Sequence, residues 1–364
     1  MGAVYFYHTQ DIQFILDRME QGQFPAHFLY GATQLPGHGI EVIYHQSRLG
    51  LPRWRTMLRT TFQVLASRRR FDAVYATHYQ GLELLVFLRA LWLFRKPLVV
   101  WHHQPVVVSR QWWRELLGRC FYRGFDKLVF FSQKLVDESL QTGKVRADQV
   151  VLGHWGADLS FYDGLTVKKS SKAVESPSCQ RSMPFSFVST GKELRDMPTL
   201  VAAFNRVASA PLDIYINRKN GEVSYEELFS RLELGPNVVL HYTDRLMPYE
   251  LSLEVKQADC VVICCMESNY TVGLTTLVEA LALGKPVICS RNPNFPIDVE
   301  LMGCGISVPY GDVEGWVRAI EAMLSRPDKA REMGRRGREL AESIFNDVRC
   351  GGEMAAVLRQ ISKI

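Results

Sequence analysis

The chain has 364 residues, 47% of them hydrophobic, and a formal net charge of +5. That length can bury more than one core, so two domains are expected. No uninterrupted apolar run of 18 residues and no leader-like N-terminus occurs, which argues against a helical membrane span and points to a cytoplasmic protein. The eight cysteines show no CxxC pair and no Cys/His ligand spacing, so core thiols are expected and no metal site.

In chain order, β-rich runs at 4–7, 41–44, 73–76, 98–102 and 127–131 alternate with helical patterns such as LLVFLRALWLF. Apolar spacings of three and four between short strands fit βαβ units and parallel sheets, so the fold class is α/β. This half is also basic. Residues 51–124 hold thirteen Lys/Arg against three Asp/Glu, whereas 151–364 hold 24 against 27. Such an imbalance can favour an anionic membrane, nucleic acid or a phosphorylated substrate. Within it, LPRWRTMLRTTFQVLASRRR (51–70) places Trp54, Met57, Leu58, Phe62 and Leu65 at helical spacing among arginines. An ordinary packed surface helix and a membrane-surface helix share that pattern. Trp112 and Trp113, between Arg110, Arg114 and Arg119, leave the same choice between core packing and an interface.

The alternation breaks once, at LTVKKSSKAVESPSCQRSMP, where Ser, Lys and Pro accumulate. The expected division is an N-terminal domain at 1–164, a linker or exposed loop at 165–184, a C-terminal domain at 185–345, and a terminal helix at 346–364 that can fold back on the first domain. Strands in the second half are expected at 185–189, 212–216, 238–241, 260–265, 286–290 and 305–308. Ligands of open α/β sheets bind beyond the carboxyl ends of strands, so the loops after 4–7, 98–102, 185–189 and 260–265 are where function is sought.

Two of these loops carry chemistry. STGKELRDMPTLVAAF sets Lys192 and Arg195 between a strand and a helix, suited to a diphosphate, although both are also consistent with solvated loop charges. YTVGLTTLVEALALGKPVI opens a helix behind Gly273 and Leu274, with Thr275 and Thr276 at a positive helix end that binds phosphate readily. Glu279 is three residues beyond Thr276, the spacing of a capping box, so it either closes its own helix or contacts a ligand. There is no GxGxxG after a strand, and Pro286 stands where a P-loop needs Ser or Thr, which disfavours NAD enzymes and P-loop NTPases. No Asp-x-Asp pair supports a metal-bridged diphosphate.

SNYTVGLTTLVEALALGKPVICS resembles the nucleotide-sugar motif of GT-B glycosyltransferases of the retaining family 4 type, STGKELRDMPTLVAAF their paired-basic loop, and FDKLVFFSQKLVDESL with VVLGHWGADLSFY the end of their N-terminal domain. The resemblance covers roughly residues 70–345. It implies a GT-B fold, two Rossmann-like domains facing each other across a cleft. It also implies transfer of a sugar, with retention of configuration, from a nucleoside diphosphate sugar, UDP being the first choice, with that co-substrate and no cofactor. By position, Glu279 matches the acid on the donor ribose. Gly273, Leu274, Thr275 and Thr276 match the diphosphate loop and helix start, and Lys192 and Arg195 the basic pair. His102 or His103 matches a histidine near the donor sugar, and Gly31 a glycine loop approaching the phosphates. Where many members carry a second acid, eight residues before Glu279, this chain has Thr271. The expected acceptor is a glycan or, from the basic charge of the N-terminal domain, a lipid-linked glycan; the same charge makes an anionic membrane surface on the cytoplasmic side a further expected partner, and no nucleic acid is expected. A catalytically weak nucleotide-sugar-binding or scaffold protein and a sugar-nucleotide epimerase remain open alternatives.

Overall fold

A computed structural model describes residues 2–48, 50–166, 185–191, 193–244 and 246–361. Most of the expected linker, and Lys192 itself, lie outside the described residues.

The first half forms a six-stranded parallel sheet from β1 (Gly2–Tyr7), β2 (Ile40–Tyr44), β3 (Ala73–Ala76), β4 (Leu98–Trp101), β5 (Lys127–Phe130) and β6 (Val150–Leu152), in the order β2-β1-β3-β4-β5-β6. The inner strands are buried along their length, as β3 and β4 are at every residue. Sheets covered on both faces need such unbroken apolar runs. Strand β6 escaped the sequence reading because it is three residues long and only partly buried, so neither alternation nor a long apolar run marks it.

The second half builds its own parallel sheet from β7 (Phe187–Thr190), β8 (Leu212–Ile216), β11 (Val238–Tyr242), β12 (Cys260–Ile263), β13 (Val287–Ser290) and β14 (Gly305–Val308). A small antiparallel hairpin of β9 (Lys219–Asn220) and β10 (Val223–Ser224) stands apart. The order β11-β8-β7-β12-β13-β14 reverses direction between β7 and β12, which opens a crevice beyond their carboxyl ends. The helices Met197–Arg206 and Val313–Ser325 cover one face around Trp316, which is fully buried.

The chain then crosses back. Ala157 and Asp347 exchange backbone bonds with Phe345 and Ala157, and the Asp347–Ile361 helix lies on the Ala32–His38 turn of the first domain. Gln34 donates to Asp347 (2.8 Å), and Glu353 accepts from the His154 ring (2.8 Å). A Cβ on Gly31 would stand 2.7 Å from the Gly351 backbone, so this crossing needs two facing glycines. Arg338 also pairs with Asp163 (2.8 Å), and Tyr249 donates its amide to Gln23.

Candidate active site

The crevice beyond β7 and β12 is built around Arg195. After Thr190 the chain turns at Gly191, whose φ of +119° and lack of Cβ let the guanidinium lie on it; a Cβ there would be 2.0 Å from Arg195. Leu194 also takes a left-handed conformation, and Asp196 caps the following helix by accepting from the Thr199 amide. The result is a guanidinium only 3% exposed. It donates to the Thr190 carbonyl (3.1 Å), the Glu193 carbonyl (3.0 Å), Cys265 Sγ (3.3 Å) and Thr276 Oγ1 (3.2 Å). Among the described residues no carboxylate pairs with it. A buried cation costs several kcal/mol to desolvate and normally keeps a counter-ion, so the site is electrostatically prepared for an anion. A cavity of about 240 Å³ on its flank is lined by Leu194, Val223, Tyr225, Leu228 and Met266 together with Ser224, Glu227 and Arg231.

Thr276 joins this group to the Leu274–Ala282 helix. The helix starts one turn earlier than a threonine cap requires: Gly273, at φ +92°, is the cap and offers no side chain. A Cβ on it would meet Ile263 at 2.6 Å. Among the described residues, of the amides from Gly273 to Leu277 only those of Leu274 and Leu277 find backbone acceptors, in the Thr271 and Gly273 carbonyls. The amides of Gly273, Thr275 and Thr276 therefore stay open beside Arg195, at the positive end of the helix dipole. The capping-box alternative for Glu279 is overturned by this register, because the acid sits in the helix interior.

Glu279 is buried, and its carboxylate accepts from Ser252 on the neighbouring Pro248–Gln257 helix (2.5 Å). Burial pushes its pKa up to about 7, and the Ser252 hydrogen bond opposes the rise. A buried carboxylate held near neutrality is a functional signal as well as a cost.

The loop between β12 and this helix carries Thr271, buried, with its carbonyl on the Leu274 amide. Asn292 holds the loop by donating to the Tyr270 and Val272 carbonyls, and Asn294 by donating to the Ser268 carbonyl. Ser290 bonds the backbone of Cys265 in both directions. Sequence reading passed over these supports and Ser252; the turn signal Asn-Pro-Asn at 292–294 marked a loop, but no local pattern tied it to residues 25 positions earlier. Tyr270 donates to the exposed Glu193 carboxylate (2.7 Å).

From the first domain the geometry separates the two histidine candidates. His102 is buried, donates from Nδ1 to the Gln104 carbonyl (2.5 Å) and faces the Tyr122 hydroxyl with Nε2 (3.2 Å), and burial lowers its pKa to about 4. Both nitrogens are thus spent inside its own domain, and the expectation that it reaches a donor sugar is not met. His103 donates Nε2–H to the Thr77 carbonyl (2.9 Å), which leaves Nδ1 open. Its pKa is lowered by burial, opposed first by the hydrogen bond to the Thr77 carbonyl and then by the Glu193 carboxylate. His78 packs against it at 5.2 Å between ring centroids. At Gly31 the side that a Cβ would occupy is filled by Gly351 of the chain's own terminal helix. The loop that does follow β1 holds His8, which accepts from the Gln10 amide. Among the described residues no group of three or more His, Cys, Asp or Glu is placed to hold a metal ion.

The chain is similar to several known proteins. Residues 215–340 match the family model of the glycosyl transferases group 1. The chain is 24% identical over 320 residues, 82% of its length and 72% of the relative's, to the MMP alpha-(1->4)-mannosyltransferase of Mycolicibacterium hassiacum. Over 30% of its length and 25% of the relative's, it is 31% identical to the D-inositol 3-phosphate glycosyltransferase of Saccharomonospora viridis. Among solved structures, sucrose-phosphate synthase from Thermosynechococcus elongatus superposes with a TM-score of 0.72 at 17% identity, covering 99% of both chains. Anabaena HepE in complex with UDP superposes at 0.66 and 16% identity, over 99% of this chain and 100% of that one.

Proposed function

We propose that this chain, whose fold is that of the solved GT-B structures and whose residues 215–340 match the glycosyl transferases group 1 model, is a glycosyltransferase that moves a sugar from a nucleoside diphosphate sugar, UDP the first choice, to an acceptor held by the N-terminal domain. The acceptor is a glycan or lipid-linked glycan, the anomeric configuration is retained, and the reaction needs no metal. The protein works in the cytoplasm at an anionic membrane surface. The observation that carries this reading is the buried Arg195 guanidinium, without a carboxylate partner, beside the open amides of Gly273, Thr275 and Thr276. HepE, of the same fold, has been crystallised with UDP and with UDP-glucose, which supports the choice of nucleotide.

In this mechanism the bond from the anomeric carbon to the diphosphate breaks through an oxocarbenium-like state, and negative charge grows on the leaving phosphate. Arg195, the helix amides and Lys192 stabilise that charge where it develops, as donors already in place when the bond breaks. Glu279 accepts from the donor ribose hydroxyls. His103, with Nδ1 open to the cleft, contacts the donor sugar, and the leaving phosphate helps remove the acceptor proton.

Thr271, where many relatives carry an acid, favours a second reading, a catalytically weak nucleotide-sugar-binding protein. A thermal-shift screen of UDP, GDP, ADP and their sugars tests the binding half, because a ligand of the folded state raises its melting temperature. No shift at millimolar concentration would sink it. Release of free nucleotide from a responding sugar nucleotide, lost in Glu279→Ala and Lys192→Ala, separates enzyme from scaffold, and an epimer formed without acceptor would identify an epimerase.

A further inference from the structure

The Arg53–Leu65 helix faces the wrong way for a packed surface helix. It buries Thr60, Thr61 and Val64 and turns its large apolar residues outward: Trp54, Leu58, Phe62 and Leu65 are all exposed, Phe62 at 72%. The Trp112–Tyr122 helix buries no residue at all. Trp112 is 78% exposed, and Trp113, Leu116 and Leu117 are exposed with it. Between the two packs the Glu83–Ala90 helix, whose end leads into Leu91, Trp92 and Leu93, also exposed. Three adjacent helices that turn threonines inward and Trp54, Trp92, Trp112 and Trp113 outward leave an apolar face unpartnered among the described residues.

The charge on this face is one-sided. The three acids of residues 51–124 are all engaged: Asp72 accepts from the Ala3 amide, Glu83 pairs with Arg53 (2.6 Å) and Glu115 pairs with Lys144 (2.7 Å). Arg55, Arg59, Arg95, Lys96, Arg110 and Arg114 have no acidic partner among the described residues. Arg55 and Arg114 instead lie over the rings of Trp54 and Trp113, at 5.0 Å in each case. Tryptophan beside unpaired arginine is the composition of a membrane interface, where the ring enters the headgroup region and the cation meets lipid phosphate.

We infer that this three-helix face seats the protein on an anionic lipid bilayer. A second copy of the chain fits the same face poorly, because a two-fold contact would set the unpaired arginines against each other. Since among the described residues no helix is long and apolar enough to cross a membrane, the attachment is peripheral. The loop that begins at His103 in the cleft ends at Trp112 on this face, so a seated enzyme holds its cleft beside the headgroups, where the sugar of a lipid-linked acceptor is displayed. The inference deepens the lipid-facing part of the proposed function and uses none of its catalysis.

The test is co-sedimentation of the full chain with vesicles of pure phosphatidylcholine and of equal parts phosphatidylcholine and phosphatidylglycerol. Binding is expected to the anionic vesicles only, and to weaken as salt shortens the Debye length from about 10 Å at 0.1 M to about 3 Å at 1 M. Trp112→Glu with Leu116→Glu changes two exposed side chains and leaves the core intact; it should reduce anionic binding by roughly tenfold or more. Arg55→Glu with Arg114→Glu should do the same, while the UDP-induced thermal shift of both variants stays that of the parent. Equal binding to both vesicles, no binding at low salt, or parent-like binding by the variants overturns the inference. So does a dimer, seen by light scattering, that dissociates in the Trp112→Glu variant. A parent without a UDP shift that still binds anionic vesicles would defeat the catalytic reading alone.

Discussion

Replacing Glu279 by Gln separates the cost of this acid from its use. Burial raises its pKa from 4.5 to about 7, which corresponds to about 3 kcal/mol of preference for the neutral form in the folded state. The folded chain therefore holds this proton more tightly than the unfolded one. Its stability should fall as pH rises from about 4.5 to about 7 and then level off. Glutamine keeps the acceptor for Ser252 without a charge, so the variant should melt near the parent at pH 5 and above it at pH 8. Binding runs the other way. If the ribose hydroxyls donate to the carboxylate, the competent fraction drops from about nine-tenths at pH 8 to about one-tenth at pH 6, and UDP affinity falls by about tenfold. Calorimetric titration of UDP at pH 6, 7 and 8, on parent and variant, cancels the titration of UDP itself. The reasoning is refuted if the variant binds UDP with the same affinity and pH profile as the parent, or is the less stable of the two at pH 8.

Arg195→Lys keeps the charge but cannot reach Thr190, Cys265 and Thr276 together; UDP affinity should fall by about tenfold or more, read by the same calorimetry. Gly31→Ala forces a Cβ to 2.7 Å from Gly351 at a φ of +75°. Strain and overpacking together should cost about 2–5 kcal/mol, seen as a lower melting temperature with UDP affinity unchanged. Glu193→Gln removes the charge that raises His103 and should shift the His103 titration further down, measured by NMR of the ring protons.

Much of this molecule is written locally. The βαβ alternation marked the main strands, because strands buried on both faces need continuous apolar runs and the helices between them need an apolar stripe. Gly273 and the residues after it announced an open helix start, since a glycine ahead of an apolar run is a local signal. Helical spacing in 51–70 announced an amphipathic helix, yet spacing defines an apolar face without saying what lies against it. Only the packing showed that Phe62 and Trp54 point away from the core. Arg195 is the same case in electrostatics. Its sequence neighbours show a charge after a strand; that the charge is buried and lacks an acid follows from β7, β12 and the Leu274–Ala282 helix meeting around it. His102 and His103 are adjacent in sequence, and the direction of each ring was decided by Tyr122 and Thr77. Gly31 could be read as a turn, but the residue that fills its empty side stands some 320 positions away. Sequence by itself determined the elements and their order, because propensity and periodicity act over a few residues. Burial, pairing and the direction each face takes were decided by the tertiary structure, because they depend on groups that only the finished fold brings together.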